Sequence, residues 1–177
     1  VLPRMISAPS ARTLSGFIAF TVAAVPTGMK AGVRIVPRCM AISPVRAAPS
    51  VARMFYDRVA ATPGSEAFLI PTPSGWSSVT WAQTAETVKT MAAGQLALGI
   101  EREQRVAIAA NTRIEWVQAD LAIMCAGAAT TAVYPSTTAD DVAFILSDSG
   151  TRIVFAEDDV QIAKLRLQRE HLPDLIR

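Results

Sequence analysis

The sequence predicts an α/β fold, a partial three-layer arrangement in which a parallel sheet carries flanking helices. Three short apolar runs that predict strands start near residues 105, 129 and 152, and a helical pattern fills each gap between them. Strands that are apolar on both faces and joined by helices are typical of parallel sheets covered on both sides. The composition agrees, because 51% of the 177 residues are hydrophobic and 18% are charged, which is ample material for a buried core.

Residue counts exclude several other classes of protein. The two cysteines, Cys39 and Cys125, can form at most one bridge, so the chain is not a disulfide scaffold. The single histidine, His171, makes a histidine-based metal site or a histidine relay hard to build, and its polar surroundings predict a surface position. Nine glycines and eleven prolines without a repeat exclude a collagen-like chain.

Residues 1–50 differ from the rest of the chain in charge. They contain six basic residues and no acid, a formal charge of +6, whereas the remainder holds eleven bases and fifteen acids, a formal charge of −4. Their longest apolar run, residues 17–25, is too short to span a membrane, which takes about 20 apolar residues. The bases are scattered without interleaved aromatic residues, so no nucleic-acid partner is expected.

Three interpretations of residues 1–50 stay open. Bases ahead of an apolar stretch are typical of a secretory signal, but no clear cleavage site follows Val25. An Arg- and Ser-rich segment without acids is typical of an organelle transit peptide. The third interpretation is a poorly ordered extension, with sequence upstream of the natural start, since the chain begins with Val1 and has methionines inside. We therefore treat 1–50 as a disordered or targeting-like extension and 51–177 as the folded unit.

The folded unit is predicted to begin with a helix and a hairpin. Ser50 can cap a helix that runs to about Ala61. Residues 67–70 and 76–80 then predict two strands, with the turn cluster 71–75 between them.

The next helix has the clearest start signal in the chain. Thr80 and Gln83 have the spacing of a capping box, in which each side chain bonds the other residue's backbone amide. Its apolar positions predict one face toward a core, and Gly99 is placed to end it. These positions are Trp81, Ala85, Val88, Ala92 and Leu96.

Strand 105–109 opens the repeating part of the chain. Thr112 and Glu115 have the spacing of a second capping box, ahead of a helix over 113–126 that is apolar nearly all round. A helix of this kind is buried inside a larger body. We expect this chain on its own to leave that helix and a sheet edge unpartnered, and therefore to be poorly soluble.

Two further strand and helix units complete the pattern. Strand 129–133 is followed by a helix that Thr138 caps and Gly150 closes, and strand 152–156 comes next. The acids 157–159 open a last helix, in which the bases Lys164, Arg166 and Arg169 are predicted to point outward and which Pro173 stops.

Catalytic signatures are absent from the sequence. It lacks the glycine-rich dinucleotide fingerprint, the phosphate loop ending in Gly-Lys-Ser/Thr, CxxC, HExxH and GxSxG. Asn111 and Arg113 follow a parallel strand, where open α/β sheets bind ligands, so Arg113 either faces an anionic group or pairs with Glu115 while Asn111 caps the helix.

Other candidate positions have a structural alternative beside the functional one. The segment 134–138 lies at the same edge and is either a substrate-side loop or an ordinary turn and cap. The acids 157–159 either bind a divalent ion or complement a helix N-terminus. Trp81 and Trp116 are expected to be core anchors rather than cofactor-stacking groups, and Cys125 an inert buried thiol.

From about residue 51 to 177 the chain resembles the N-terminal part of the adenylate-forming enzymes, most closely the long-chain fatty acid–CoA ligases. Each matching piece is short, but all follow the family's order and spacing. They are Val79-Thr80-Trp81, Leu98-Gly99-Ile100, Arg105-Val106-Ala107-Ile108, Asn111-Thr112-Arg113-Ile114-Glu115-Trp116, Ala119-Asp120-Leu121-Ala122, Ala126-Gly127-Ala128, Val133-Tyr134-Pro135-Ser136, Ile145-Leu146-Ser147-Asp148-Ser149-Gly150, Val154-Phe155-Ala156-Glu157-Asp158, Gln161-Ile162-Ala163-Lys164-Leu165 and Leu172-Pro173.

This resemblance implies a reaction whose machinery is missing from the 177 residues. In the family a fatty acid attacks the α-phosphate of Mg²⁺-bound ATP, and coenzyme A then displaces AMP from the acyl-adenylate. The family's Ser/Thr/Gly phosphate loop, its nucleotide-binding motifs and its C-terminal lysine do not occur here. No catalytic, cofactor-binding or metal-binding residue is therefore assigned, and we expect the first part of a ligase that is inactive and binds no cofactor by itself.

The resemblance also sets the expected partners and location. Fatty acid, ATP, Mg²⁺ and coenzyme A are implied for the intact enzyme, with no evident protein partner. A cytoplasmic location is expected, with peripheral contact to a membrane and organelle targeting by 1–50 left open. Two other classes also stay open, namely part of another acyl- or aryl-adenylating ligase and a non-catalytic α/β binding module.

Overall fold

A computed structural model describes residues 48–176. The elements follow the predicted order: α1 (Val51–Ala61), β1 (Glu66–Thr72), β2 (Gly75–Thr80), α2 (Trp81–Ala97), β3 (Arg105–Ala109), α3 (Ile114–Cys125), β4 (Ala129–Val133), α4 (Ala139–Ser149), β5 (Thr151–Ala156), α5 (Asp159–Leu167) and a 3₁₀ turn (Arg169–His171). The predictions made for residues 1–47, including Cys39 and the apolar run 17–25, lie outside the described residues.

The predicted parallel sheet is confirmed. Its strand order is β4-β3-β5, and both neighbours run parallel to β3. Ala107 of β3 lies opposite Thr131 of β4 and Val154 of β5. With β3 in the middle and a helix in each connection, the strands bring their carboxyl ends to one edge of the sheet.

Helices cover both faces of this sheet. On one face α4 and α5 pack through an apolar cluster that includes Val142, Leu146, Ile162 and Leu165. On the other face α3 packs through Ala119 and Ile123, together with Val106, Ile108, Ile153 and Phe155 of the strands. The three-layer α/β prediction is therefore confirmed.

The prediction that α3 is left with unpartnered apolar surface is wrong. None of residues 114–125 is exposed, because α1 and α2 lie against the side of α3 that faces away from the sheet. Ala122 meets Phe55 of α1 and Val88 of α2 there. Both apolar sides of α3 are thus covered, one by the sheet and the other by the layer of α1 and α2.

The hairpin of β1 and β2 is also confirmed and closes the core near the start of α2. The strands pair antiparallel with Thr72 opposite Gly75. The ring of Trp81 lies 6.1 Å from that of Phe68 and 6.3 Å from that of Phe55, and the Arg58 guanidinium stands 5.4 Å from the Trp81 ring centre. Trp81 is therefore a packing group, as predicted, and it joins the hairpin to the helical layer.

Two helix starts show where local sequence signals succeed and fail. The capping box at α2 is confirmed, since Thr80 Oγ1 accepts from the Gln83 N–H at 3.2 Å and Gln83 Oε1 accepts from the Thr80 N–H at 2.8 Å. The second predicted box is wrong, because α3 begins at Ile114 and no side chain caps it. The Glu115 carboxylate that would have capped this helix is bound by the Arg113 guanidinium instead.

Some predicted side-chain positions also need correction. Leu96, on the predicted buried stripe of α2, is 53% exposed, while its neighbour Gln95 is buried. Arg169, predicted to point outward, is half-buried and donates to the Leu172 carbonyl at 2.6 Å. The last helix ends at Leu167 before the 3₁₀ turn, rather than continuing to Pro173.

Gly150, which ends α4, is expected to resist substitution more than Gly99, which follows α2. Both have positive φ, but a Cβ on Gly150 would come within 2.7 Å of the Arg105 guanidinium, whereas one on Gly99 would meet no atom within 4 Å. Displacing the Arg105 guanidinium would disturb the hydrogen bond that its Nε donates to the Ser149 carbonyl. Gly150→Ala should lower the free energy of unfolding by about 1–2 kcal/mol, measured by urea denaturation. An equal or larger loss for Gly99→Ala would show that the contact with Arg105 does not matter.

The described residues 48–176 contain no helix that is both long and apolar enough to cross a membrane.

Candidate functional site

Four polar side chains meet at the carboxyl ends of β3 and β5, and we call them the Arg113 cluster: Asn111, Arg113, Glu115 and Glu157. Glu157 Oε2 accepts from the Asn111 backbone N–H at 2.7 Å and from Asn111 Nδ2 at 2.9 Å. Arg113 Nη1 donates to Glu157 Oε1 at 3.1 Å, and Arg113 donates to both carboxylate oxygens of Glu115, at 2.6 and 3.0 Å. The cluster ties the turn after β3 to the residue that follows β5.

Burial makes these contacts stronger than those of a surface ion pair. The Arg113 side chain is 9% exposed and that of Glu157 15% exposed. The hydrogen bonds to Glu115 raise the pKa of Arg113, although burial opposes them. Burial by itself would raise the pKa of Glu157, but hydrogen bonds from Asn111 and Arg113 outweigh it and the pKa is lowered. At neutral pH the Glu157 carboxylate is therefore charged beside a charged Arg113 guanidinium.

This arrangement decides between the two interpretations of Arg113 and Asn111. Pairing of Arg113 with Glu115 is confirmed, and Glu157 is a second partner that the sequence did not suggest. Asn111 does not cap α3 but bonds Glu157. With a formal charge of −1 and its guanidinium held by two carboxylates, the cluster in this form is a poor receptor for a further anion.

A shallow apolar pocket of about 30 Å³ lies beside the cluster. Met91, Ile108, Trp116 and Phe155 supply apolar lining, and Trp116 is thereby confirmed as a packing residue. An apolar cavity that binds benzene has a volume of about 150 Å³, so this pocket is far too small for a nucleotide.

The segment 134–138 follows β4 at the same edge of the sheet. Lys164 Nζ donates to the Pro135 carbonyl at 2.6 Å and to the Thr137 carbonyl at 2.8 Å, so its predicted outward position is wrong. Gln161 Nε2 also donates to the Pro135 carbonyl, at 3.3 Å. Thr138 caps α4 as predicted. The ordinary turn-and-cap interpretation is thus confirmed, and α5 holds the turn in place.

The acids 157–159 do not gather around a common point. Glu157 belongs to the Arg113 cluster, Asp158 Oδ1 accepts from the Gln161 N–H at 2.9 Å and caps α5, and Asp159 lies in the first turn of that helix. Within 48–176, no three residues among His, Cys, Asp and Glu are arranged to hold a metal ion.

The remaining candidates are structural or exposed. Cys125 is half-buried rather than buried, and burial raises the pKa of its thiol, so at neutral pH it is protonated and a weak nucleophile. His171 is exposed, as predicted.

Sequence reasoning missed Glu157 and Lys164 as parts of this edge. Glu157 lies 44 residues from Arg113, and Lys164 lies 29 from Pro135. The available signal was the parallel sheet itself, because residues that directly follow adjacent parallel strands must meet at one edge.

The fold is a parallel α/β layer whose carboxyl edge carries a cluster of mutually paired polar side chains. Comparison with known proteins identifies its family. The sequence profile of the AMP-binding enzyme family matches residues 55–176. The chain belongs to this family.

Curated relatives narrow the resemblance to one branch of the family. The long-chain-fatty-acid–CoA ligase FadD15 of Mycobacterium tuberculosis is 38% identical over 84 residues, which are 48% of this chain and 14% of that protein. The long-chain-fatty-acid–CoA ligase heimdall of Drosophila melanogaster is 35% identical over 101 residues, 57% of this chain and 15% of that protein. The chain thus matches about a seventh of the length of these relatives.

Solved structures confirm the fold. A fatty acyl CoA synthetase of Mycobacterium tuberculosis superposes with a TM-score of 0.62 at 26% identity, over 71% of this chain and 25% of the other. The N-terminal domain of FACL13 from the same organism gives 0.63 at 26% identity, over 71% and 32%. An anthranilate CoA ligase, AuaEII, gives 0.64 at 17% identity over 72% and 24%, a likeness of fold alone.

Proposed function

We propose that this chain is the first α/β layer of a long-chain fatty acid–CoA ligase. The observation that carries the proposal is the sequence identity of 38% over 84 residues and 35% over 101 residues with ligases of that substrate class. Such an enzyme joins a fatty acid to AMP with release of pyrophosphate, and the coenzyme A thiol then attacks the acyl carbonyl and displaces AMP.

Within such an enzyme the described residues support the site rather than react. Phosphoryl and acyl transfer need hydrogen-bond donors and cations aimed at the charge that develops in the transition state. Arg113 already binds two carboxylates, and Lys164 binds two backbone carbonyls. No step of the reaction is therefore assigned to a residue of this chain.

The 177-residue chain should form no acyl-CoA from ATP, Mg²⁺, coenzyme A and a long-chain fatty acid. The measurement is mass spectrometry of the thioester against a blank without protein, with FadD15 as a positive control under the same conditions. ATP-dependent acyl-CoA above the blank would contradict the proposed scaffold role.

The alternatives predict different nucleotide sequences downstream of codon 177. An in-frame phosphate loop supports an adenylating ligase. A stop codon at an intact locus supports a separate non-catalytic α/β module. The relatives described above favour the long-chain class, since the likeness to the aryl ligase AuaEII, at 17% identity, is one of fold alone.

We also propose a cytoplasmic location, with the lipid substrate bringing the enzyme to a membrane surface. A fluorescent fusion to the C-terminus of the complete chain, compared with one that lacks residues 1–47, tests this location. Import into an organelle that depends on residues 1–47 would support the transit-peptide interpretation instead.

A further inference from the structure

One side of α5 and its C-terminal end bind the chain segment that joins β4 to α4. Gln161, Lys164 and Gln168 donate side-chain hydrogen bonds to residues 135–140, and we call these three donors the Lys164 clasp. Gln161 and Gln168 are 4% and 9% exposed. Glutamine side chains are mostly exposed in proteins, because a buried polar group costs free energy unless it is hydrogen-bonded. The burial of these two side chains therefore depends on the segment that they bind.

The Lys164 ammonium has a full set of acceptors. Its Nζ donates to the Pro135 carbonyl at 2.6 Å, to the Thr137 carbonyl at 2.8 Å and to Gln161 Oε1 at 3.1 Å. These three contacts match the three donors of an ammonium group. Hydrogen bonds from a charged donor are shorter and stronger than those between neutral groups. One charged group thus holds two backbone carbonyls of the same turn.

The turn 134–138 is not held by burial. Its residues are all exposed or half-buried, and Tyr134 is 78% exposed. The apolar core on this face includes Val133 ahead of the turn and Val142 after it. Segments with few buried apolar contacts are the ones that open locally while the core stays folded. The polar contacts of the clasp are therefore what attaches this turn to the rest of the fold.

We infer that the Lys164 clasp fixes turn 134–138 to α5, and that loss of the Lys164 charge lets the turn open while the sheet and its core stay folded. The turn lies at the carboxyl edge of the sheet, where open α/β sheets bind ligands. A fixed turn keeps this part of the edge in one conformation before a ligand arrives, which lowers the cost of ordering it on binding. Both sides of the clasp, 134–140 and 161–168, lie within the described residues, and the inference does not rest on the proposed function.

Hydrogen–deuterium exchange of the full chain tests the clasp. Lys164→Met keeps a long side chain but removes its charge and its donors, so the backbone amides of 136–142 should exchange about tenfold faster or more than in the wild type. The amides of β3 and β5 should exchange as in the wild type. The matched control is Arg166→Met, which removes a charge from an exposed position of the same helix and should change neither set.

Two results of this experiment would overturn the inference. Exchange of 136–142 that is unchanged in Lys164→Met, or accelerated equally in Arg166→Met, would mean that the Lys164 ammonium does not hold the turn. An acceleration of equal size in β3 and β5 would mean that the side chain stabilises the whole fold and that the turn does not open by itself.

Proton–nitrogen NMR tests the ammonium without relying on Lys164→Met. In a background with Lys30→Arg and Lys89→Arg, Lys164 is the remaining lysine of the sequence. Its ammonium protons should give a cross-peak at neutral pH, because hydrogen-bonded protons exchange slowly with water while those of a solvated ammonium exchange too fast to be observed. A chain that keeps only Lys89, which is 56% exposed, should give none. A missing Lys164 cross-peak, or equal cross-peaks for the two lysines, would contradict the clasp.

Discussion

Replacing Ile123 with alanine is expected to lower the free energy of unfolding by about 2–5 kcal/mol, the range found when a large buried aliphatic residue is truncated. Ile123 is 0% exposed and belongs, on α3, to the apolar cluster that also contains Ile100, Val106, Ile108 and Phe155. The sheet below and the helices above leave α3 little freedom to move into the cavity, which places the expected loss in the upper half of that range. Urea denaturation followed by circular dichroism measures it.

The matched control is Leu96→Ala. Both residues are aliphatic and both lie on helices, but Leu96 is 53% exposed on α2. Its truncation should change the free energy of unfolding by less than about 0.5 kcal/mol, as is usual for surface positions. Equal losses for the two variants would contradict the burial assigned to α3. The pair also separates two residues that the apolar pattern of the sequence treats alike.

Local signals in the sequence predicted the elements of the fold well, because those signals act within a few residues. The Thr80 capping box and the left-handed Gly150 are formed by neighbours in the chain, and both are present in the structure. The parallel sheet followed from the spacing of three apolar strands. A signal over four residues can still fail when one member has a stronger partner, as Glu115 does in Arg113.

Contacts between distant segments set the limit of sequence reasoning. The helix over 113–126 was correctly predicted to be buried, but its pattern did not say that α1 and α2 would supply the second covering layer. In the sequence, Glu157 is one of three acids that precede a helix, which is typical of a helix N-terminus. It binds Arg113 and Asn111 because β5 packs beside β3, and the local sequence does not show this packing. The sequence predicted that Asn111 and Arg113 lie at the carboxyl edge of the sheet and that Arg113 pairs with Glu115. The bonds of Glu157 to Asn111 and Arg113 depend on the tertiary fold.

Glu157→Gln is expected to lower the free energy of unfolding at pH 7 by about 1.5–3 kcal/mol, the range for hydrogen bonds to charged groups. The amide keeps the size of the carboxylate but loses its charge, so Arg113 retains a single carboxylate partner, Glu115. The substitution also replaces one carboxylate oxygen with an NH2 group, which donates. The glutamine side chain therefore has one acceptor oxygen in place of the two that serve Asn111 and Arg113 in the wild type. Glu86→Gln is the control, since that carboxylate is 79% exposed and lies 3.7 Å from Lys89. It should cost less than about 0.5 kcal/mol.

The loss in Glu157→Gln should depend on pH in one direction. Because the folded-state pKa of Glu157 is lowered relative to the unfolded chain, its charge stabilises the fold above the unfolded pKa of about 4.3. That stabilisation disappears as the pH falls through the folded-state pKa, where the wild-type carboxyl group becomes neutral like the amide. Urea titrations between pH 7 and pH 3 should therefore show the two proteins converging in stability at the acidic end. A difference that stays constant over this range would mean that Glu157 acts through its shape and not through its charge, and that the cluster at the carboxyl edge is not held together by the ion pair with Arg113.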